Sequence, residues 1–382
     1  MKRALAKLIF VTVVSTFIIW LPFLAKSRLP LWGLDFKGGA LQLFANFDGP
    51  NYLIVAKSWY DKEFIRFNFS NPLPLEYYAA HLPFYPALVA AGDIFLPGPM
   101  VMLGMTLLGT IAAVVMFYLY LVKFKLSQDP LFLSFVFLFL PARFLAVRSI
   151  GSPEPWFIFF ILATLYFYRQ KKYLLAGLAG ALAQWTKSPA ILLFAGLGLY
   201  HLATNFSPRL SQFWTKTLAD LRRLWPLLLI PASIIPLFLL YQLRTADFWA
   251  YFHSGDNFHL FWPPFSIFSP QGQFWVGEFW LEDIIYIWLV FGWGIIKLWR
   301  KNLKPEAFFA GIFYTSTLFV AHRDISRYIL PIAPFILISL DKIITQSSVK
   351  KLLYLLLIPI YLYTWNFLLH NTAPVADWTP YL

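Results

Sequence analysis

Residues 46–60 read NFDGPNYLIVAKSWY, and this stretch decides how the rest of the chain is interpreted. It follows the first apolar segment and places one carboxylate, Asp48, beside a Gly49-Pro50 turn. Proline suits the first position of a helix, and aromatic residues then recur at helical spacing. The stretch predicts a short amphipathic helix whose aromatic face lies on a membrane surface, with the acid held at its start. That face consists of Tyr52, Ala56, Trp59 and Tyr60.

The composition around this stretch is that of a membrane protein. Of the 382 residues, 59% are hydrophobic, 20% are aromatic and only 13% are charged. A soluble domain of this size does not need so much apolar surface. We therefore expect an all-α polytopic membrane protein in which residues 1–382 form a single membrane-embedded domain. Cysteine is absent, which excludes disulfides, thiolate metal sites and a cysteine nucleophile.

About eleven apolar segments are candidates for transmembrane helices, although several are shorter than the roughly 20 residues of a straight crossing. They are residues 8–25, 99–122, 130–147, 155–168, 173–186, 189–203, 224–243, 281–299, 305–321, 328–340 and 352–369. The first follows a basic start and lacks a convincing cleavage site, so we interpret it as an uncleaved anchor. Residues 81–96 are interrupted by prolines and by Asp93, and we expect a juxtamembrane or re-entrant segment there.

The net charge of +13 raises the question of nucleic acid binding. The basic residues are scattered between hydrophobic runs rather than gathered on one polar face, so we predict no nucleic acid partner. With the N-terminus inside, most of them fall in inner loops, as the positive-inside rule requires. Two long external loops remain, residues 26–82 and 244–280. The membrane is the plasma membrane of a prokaryote or the endoplasmic reticulum membrane of a eukaryote, and the sequence leaves both open.

Three stretches resemble one family. Phe47, Asp48, Tyr52 and Ala56 match the first external loop of C-fold (GT-C) glycosyltransferases, above all the GPI mannosyltransferase II-like proteins, although Trp59-Tyr60 replaces their Gly-Tyr. The run HLPFYPAL at residues 81–88 is similar to their Phe-Pro-Leu-Tyr-Pro signature. Residues 148–193 resemble a family segment in which an outer-face Glu and a cation are functional. Those two positions are occupied by Glu154 and Lys187, the latter replacing the more usual Arg.

The resemblance implies a membrane glycosyltransferase with a polyprenyl-phosphate sugar donor and a glycan or glycolipid acceptor. A hexose, with mannose expected, would pass to a lipid-linked or surface glycan at the outer membrane face with inversion. Asp48 would be the catalytic base, and Glu154 would orient the acceptor or bind a metal with Asp48. Besides the two substrates, membrane lipids are the expected partners. A divalent metal, Mg²⁺ or Mn²⁺, is left open.

Such a reaction requires a base for the incoming hydroxyl and cations for the departing phosphate. Basic residues at outer helix ends are the ones that the positive-inside rule does not explain. They are Arg143, Arg148, Lys187, Arg244, Arg323 and Arg327. We predict lipid phosphate binding by Lys187, Arg148, Arg323 and Arg327, with Tyr52, His81, Tyr85 and His322 as further substrate-binding residues. The alternatives are snorkelling of the cations to lipid headgroups and a helix-capping role for the two acids.

Two other possibilities stay open. His253, Asp256 and His259 have spacing that could gather a divalent ion, although a solvated loop is favoured. A transporter or lipid flippase would place polar groups near the bilayer midplane, often between repeated halves, and a non-catalytic scaffold would need neither acid. The unexplained charges lie at one membrane face, which favours the transferase.

Overall fold

The computed structural model describes residues 1–46, 48–70, 73–207, 209–255, 259–269 and 280–382. Phe47 and Asp256, which the sequence analysis singled out, lie outside these residues, as does part of the loop 244–280. Within them the chain is α-helical apart from one small antiparallel hairpin, in which Arg28–Leu29 (β1) pairs with Leu34–Asp35 (β2).

The structure contains long apolar helices and short helices that connect them. In chain order they are α1 (Lys2–Leu24), α2 (Ala40–Phe44), α3 (Gly49–Ser58), α4 (Lys62–Asn68), α5 (Phe84–Gly92), α6 (Gly98–Phe124), α7 (Pro130–Phe139), α8 (Ala142–Val147), α9 (Glu154–Arg169), α10 (Tyr173–Thr186), α11 (Ile191–Asn205), α12 (Leu210–Leu224), α13 (Leu229–Ala232), α14 (Ile234–Thr245), α15 (Ala250–His253), α16 (Leu281–Arg300), α17 (Lys304–Thr317), α18 (Ile325–Tyr328), α19 (Ala333–Ile344) and α20 (Ser347–His370). Short 3₁₀ turns join several of them.

Four helical stretches among the described residues are long and apolar enough to cross a membrane. They are Lys2–Leu24, Gly98–Phe124, Ser211–Thr245 and Ser347–His370. A crossing needs roughly 20 residues at 1.5 Å rise per residue, and these four have between 23 and 35. They indicate a multi-pass integral membrane protein. The other predicted spans coincide with shorter helices, such as the 14 residues of α10, so the count of eleven crossings stays a prediction.

Two expectations about individual segments had different outcomes. Residues 130–147 do not form one span, because α7 ends at Phe139 and α8 starts only at Ala142. Pro141 lies between them, and a proline inside a helix removes a hydrogen bond and clashes with the preceding turn. Residues 81–96 contain the nine-residue helix α5, which is too short to cross a bilayer.

The predicted surface position of α3 is wrong. The helix ends at Ser58, so Trp59 and Tyr60 lie beyond it, and nine of its ten residues are buried, including Tyr52 and Ala56. It packs on α5 and α6 in a core that also contains Tyr85, Met102 and Tyr241. Apart from Trp59, which is 37% exposed, the predicted aromatic face therefore contacts protein, and the start of α3 lies inside the molecule.

A larger core joins the middle helices. It contains residues from α6, α7, α9, α11, α17 and α19. Gly196 of α11 lies so close to Phe309 of α17 that a Cβ atom there would come within 2.7 Å of its Cα. The absence of a side chain lets these two backbones approach, so α11 and α17 pack closely together.

Candidate functional site

One large cavity, of about 1500 Å³, lies among α3, α9, α10, α14, α16, α17 and α20. Its wall contains Asp48 at the start of α3, Glu154 at the start of α9, Lys187 at the end of α10 and Arg327 in α18. The cavity is thus reached by helix ends, where side chains can project past the last turn.

Asp48 occupies the position before α3 without capping the helix. Its backbone carbonyl accepts the Tyr52 N–H at 3.0 Å, as expected at a helix start, but its carboxylate accepts no capping hydrogen bond. The equivalent Asp61 and Asp129 do cap their helices, at 3.0 and 3.1 Å. The Asp48 carboxylate instead lies 3.5 Å from Arg327 Nη2, with its side chain 34% exposed. The acid is available to the cavity.

The turn that carries Asp48 is held by a distant part of the chain. The Asn46 side-chain amide donates to the carbonyls of Gln42 at 2.8 Å and Leu368 at 2.7 Å. The Ala373 N–H donates to the Ala45 carbonyl at 2.7 Å. The end of α20 and the segment after it therefore hold Ala45 and Asn46, which precede the turn that carries Asp48.

Glu154 is the centre of the ionic cluster. Its Oε1 accepts hydrogen bonds from Lys187 Nζ and from Arg327 Nε, both at 2.6 Å, and its Oε2 accepts from the Ser152 hydroxyl. The residue is 1% exposed. Since two neighbouring cations would otherwise repel each other, the carboxylate between them allows both to lie at the cavity wall. Arg327 also lies near Asp48, so it links the two acids.

Tyr85 supports this cluster from behind. Its hydroxyl donates to the Met102 carbonyl at 2.8 Å and accepts the Ser152 N–H at 3.1 Å. Thr106 binds the same N–H at 3.1 Å. Tyr85 is fully buried and does not line the cavity, so it holds the loop before Glu154, and its predicted contact with substrate stays a prediction.

Tyr52 and His81 form the wall beside Asp48. Both rings line the cavity and meet edge to face, with centroids 4.8 Å apart. His81 is 4% exposed. Burial lowers the pKa of its imidazole, so the ring is neutral near pH 7.

The opposite wall is the segment after α17. Arg323 and His322 both line the cavity, and Arg323 is exposed. His322 Nδ1 accepts the Asp324 N–H at 3.0 Å, and its ring lies 4.5 Å from that of His259. Burial, together with the neighbouring His259, lowers the pKa of His322 to about 4.

Arg143 belongs to this wall, although it was only one of six unexplained cations in the sequence. Its guanidinium pairs with Asp324 and lies 3.6 Å from the centroid of the Phe367 ring. The residue is 6% exposed and lines the cavity. In the sequence, its position at an outer helix end was the feature that could have indicated a place at the site.

Two of the unexplained cations are elsewhere. Arg148 is fully buried and donates to the Leu138 carbonyl at 3.0 Å and to the hydroxyls of Thr16 and Ser15 at 2.6 and 2.9 Å. Arg244 donates to the carbonyls of Ser58 and Trp59 at the end of α3. The structure does not bring Arg148 to the cavity, and its three hydrogen bonds explain its burial without a phosphate.

The donor set does not fit a divalent metal held by the two acids. Glu154 Oε1 is shared by two cations and Oε2 accepts a hydroxyl, so both oxygens of this carboxylate already have partners. No group of three or more His, Asp or Glu side chains suited to a metal exists among the residues that the structure describes. His253 pairs with Asp247 at 2.7 Å.

The fold and the cavity define a class: a multi-pass all-α membrane protein with a GT-C-like fold. The structure is similar to that of the archaeal oligosaccharyltransferase AglB from Archaeoglobus fulgidus, solved in complex with an inhibitory peptide and a dolichol-phosphate. The TM-score is 0.52 and the identity 14%, and the match covers 97% of this chain but 57% of AglB. This chain therefore spans little more than half of that protein. No protein-family model and no curated protein sequence matches it.

Proposed function

We propose that this protein is a membrane glycosyltransferase that uses a polyprenyl-phosphate sugar donor. It transfers a hexose, with mannose expected from the family resemblance, to a lipid-linked or surface glycan at the outer membrane face. The similar fold of AglB, which was solved with a dolichol-phosphate, supports the choice of lipid. The particular sugar and the side of the membrane rest on the sequence.

Asp48 acts as the general base. Its carboxylate takes the proton of the acceptor hydroxyl, and the acceptor oxygen forms a bond to the anomeric carbon of the donor. The bond between that carbon and the phosphate oxygen breaks, and the electron pair leaves with the polyprenyl phosphate. Attack from the side opposite the leaving phosphate inverts the anomeric centre.

Arg327 and Lys187 stabilise the phosphate as its charge grows. Both line the cavity, and both are anchored on Glu154. Cations that are already fixed by hydrogen bonds need little reorganisation during the reaction, which makes them effective in the transition state. Arg323, exposed on the facing wall, is available to the same phosphate, and Glu154 is a positioning residue.

The observation that carries the proposal is the Asp48 carboxylate. It lies at a helix start yet makes no capping hydrogen bond. It lines a large cavity and is 3.5 Å from Arg327. An acid with only a structural role would satisfy the helix N-terminus, as Asp61 does. A base beside a phosphate-binding cation is the arrangement that the transfer requires.

The test uses the purified protein in lipid vesicles with radiolabelled polyprenyl-phosphate sugars and a lipid extract as acceptor. We expect transfer from one donor, and we expect Asp48→Asn to lower the rate by about 10²- to 10⁴-fold, the usual contribution of a general base. The matched control is Asp35→Asn, since Asp35 pairs with Arg28 on the exposed hairpin.

Three results would contradict the proposal. One is full activity in Asp48→Asn. Another is an equal loss in Asp35→Asn, which would show a general effect of removing an acid. The third is accumulation of solute or flipped lipid in the vesicles without any glycosidic product, which would identify a transporter.

A further inference from the structure

Two buried polar atoms on the cavity wall make no hydrogen bond of ordinary geometry with the described residues. They are Oε1 of Gln184 and Nδ1 of His81, although the Tyr77 backbone lies close enough to the His81 imidazole to oppose the lowering of its pKa. Each residue is 4% exposed and each lines the cavity. A buried acceptor without a partner loses its hydration and gains nothing in return, and such groups are rare in native structures. A bound ligand group would supply the missing partners.

The positions of these atoms relate them to the ionic cluster. Gln184 lies in the last turn of α10, one helical turn before Lys187, whose ammonium binds Glu154. The His81 ring contacts the ring of Tyr52, and Tyr52 lies one helical turn after Asp48. One unpartnered atom therefore lies beside the phosphate-binding cations and the other beside the proposed base.

The chemistry of the two groups suits a neutral polyol. A carboxamide and a neutral imidazole exchange hydrogen bonds with hydroxyl groups and carry no charge for a phosphate. The same cavity wall also contains aromatic side chains, among them Tyr52 and Phe157. Polar groups at fixed points on an aromatic wall give orientation and specificity to a bound ligand.

We propose that Gln184 and His81 form a subsite for the hydroxyl groups of the hexose that the donor carries. This inference rests on the proposed function, because it places the sugar between the phosphate at Lys187 and the base Asp48. Gln184 then distinguishes a sugar-bearing lipid from the bare polyprenyl phosphate, which the cations bind equally well.

The experiment compares binding of two lipids to the purified protein in nanodiscs: polyprenyl phosphate and polyprenyl-phosphate mannose. The wild type is expected to bind the mannose-bearing lipid more tightly. Gln184→Leu should reduce that preference roughly tenfold, the effect of about one hydrogen bond, and leave the affinity for polyprenyl phosphate unchanged. His81→Phe should reduce it in the same way. Gln212→Leu, on the exposed side of α12, is the matched control and should bind like the wild type.

A second readout separates recognition from damage. Since Gln184→Leu removes a buried unpartnered acceptor, the melting temperature of the ligand-free protein should rise or stay unchanged while sugar preference falls. Gln184→Met, which keeps the length of the side chain, serves if the leucine variant does not fold.

The outcomes that overturn the inference are distinct from those that overturn the proposed function. Unchanged preference in Gln184→Leu, Gln184→Met and His81→Phe removes the sugar subsite and leaves the phosphate site standing. Equal wild-type affinity for the two lipids does the same. Absence of wild-type binding to either lipid removes the proposed function, and the subsite with it.

Discussion

Glu154 and Glu306 are alike in burial and in their position on a helix, but the groups around them differ. Each is 1% exposed, lies in the first turn of its helix and accepts a hydrogen bond from an arginine. Glu306 binds the Tyr120 hydroxyl and Arg169 Nη1, the latter at 2.9 Å. Glu154, in contrast, lies on the large cavity and shares its arginine with Asp48.

The difference shows that a buried ion pair does not by itself mark a functional site. The Glu306 cluster joins α6, α9 and α17 and does not line the large cavity. Breaking such a pair leaves one uncompensated buried charge, so its residues are needed for the fold. What distinguishes the Glu154 cluster is a neighbouring acid that lacks its expected local hydrogen bond and faces open volume.

The largest effect that separates the two clusters is expected from their arginines. Arg327→Met should lower sugar transfer by about 10²- to 10³-fold, because it removes one preorganised group that faces the developing charge. Arg169→Met should leave the rate per folded molecule unchanged. The rates are measured in vesicles and normalised to the folded fraction from size-exclusion chromatography. Equal losses of transfer rate in Arg327→Met and Arg169→Met would show that the two clusters do not differ in function.

The glutamates themselves should separate stability from activity. Glu154→Gln and Glu306→Gln should each cost about 3 kcal/mol of stability, since each removes a buried carboxylate from an ion pair and leaves Lys187 or Arg169 without that partner. Only the first should also lower transfer, by roughly 10-fold or more, because its cations lose their positions. Thermal melts and initial rates are the measurements. A Glu306→Gln protein that melts normally but is inactive would show that the second cluster is functional.

Lys187 offers a smaller, graded comparison. Lys187→Arg keeps the charge and should retain activity within about tenfold of the wild type, whereas Lys187→Met should lose more, since a phosphate requires the cation. Donor KM and kcat are measured for both variants. Lys350→Met is the control, because Lys350 pairs with Asp129 away from the cavity. Equal activity of the arginine and methionine variants would remove Lys187 from the phosphate site.

The smallest effect concerns pH. The pKa of His322 is lowered to about 4, by burial first and by His259 and Arg327 next, while Asp324 opposes the shift. An unfolded histidine binds its proton near pH 6.5. The stability that the neutral ring provides is therefore complete above pH 6.5 and is lost as the pH falls toward 4.

His322→Asn has no proton to bind at this position, and its melting temperature should fall less steeply than that of the wild type between pH 6.5 and 4.5. Melting curves at half-unit steps provide the comparison. Parallel pH profiles for the two proteins would show that His322 does not titrate on unfolding.

The sequence predicted the all-α membrane class and most helix positions because apolar length and proline placement are local properties. It also predicted a group of residues that the fold brings together at one cavity: Asp48, Glu154, Lys187 and Arg327. Each lies next to a helix end, and helix ends can be read from Pro, Gly and charge patterns.

The sequence could not show which groups surround each residue in the folded protein. The aromatic face of α3 has the same periodicity whether it meets lipid or protein, so its burial was not predictable. Arg148 and Arg327 looked alike as cations at outer helix ends. Only the fold shows that hydroxyls from α1 surround Arg148 and that carboxylates surround Arg327. Gln184 had no local signal at all, because its interest comes from a missing partner.

The hydrogen bond from Ala373 to Ala45 joins residues that are made far apart in time. During synthesis the first helices are made long before α20, so Ala45 can be held in this way only after residue 373 has been made and has docked. The backbone that precedes Asp48 is therefore fixed late in folding, although Asp48 itself lies early in the sequence.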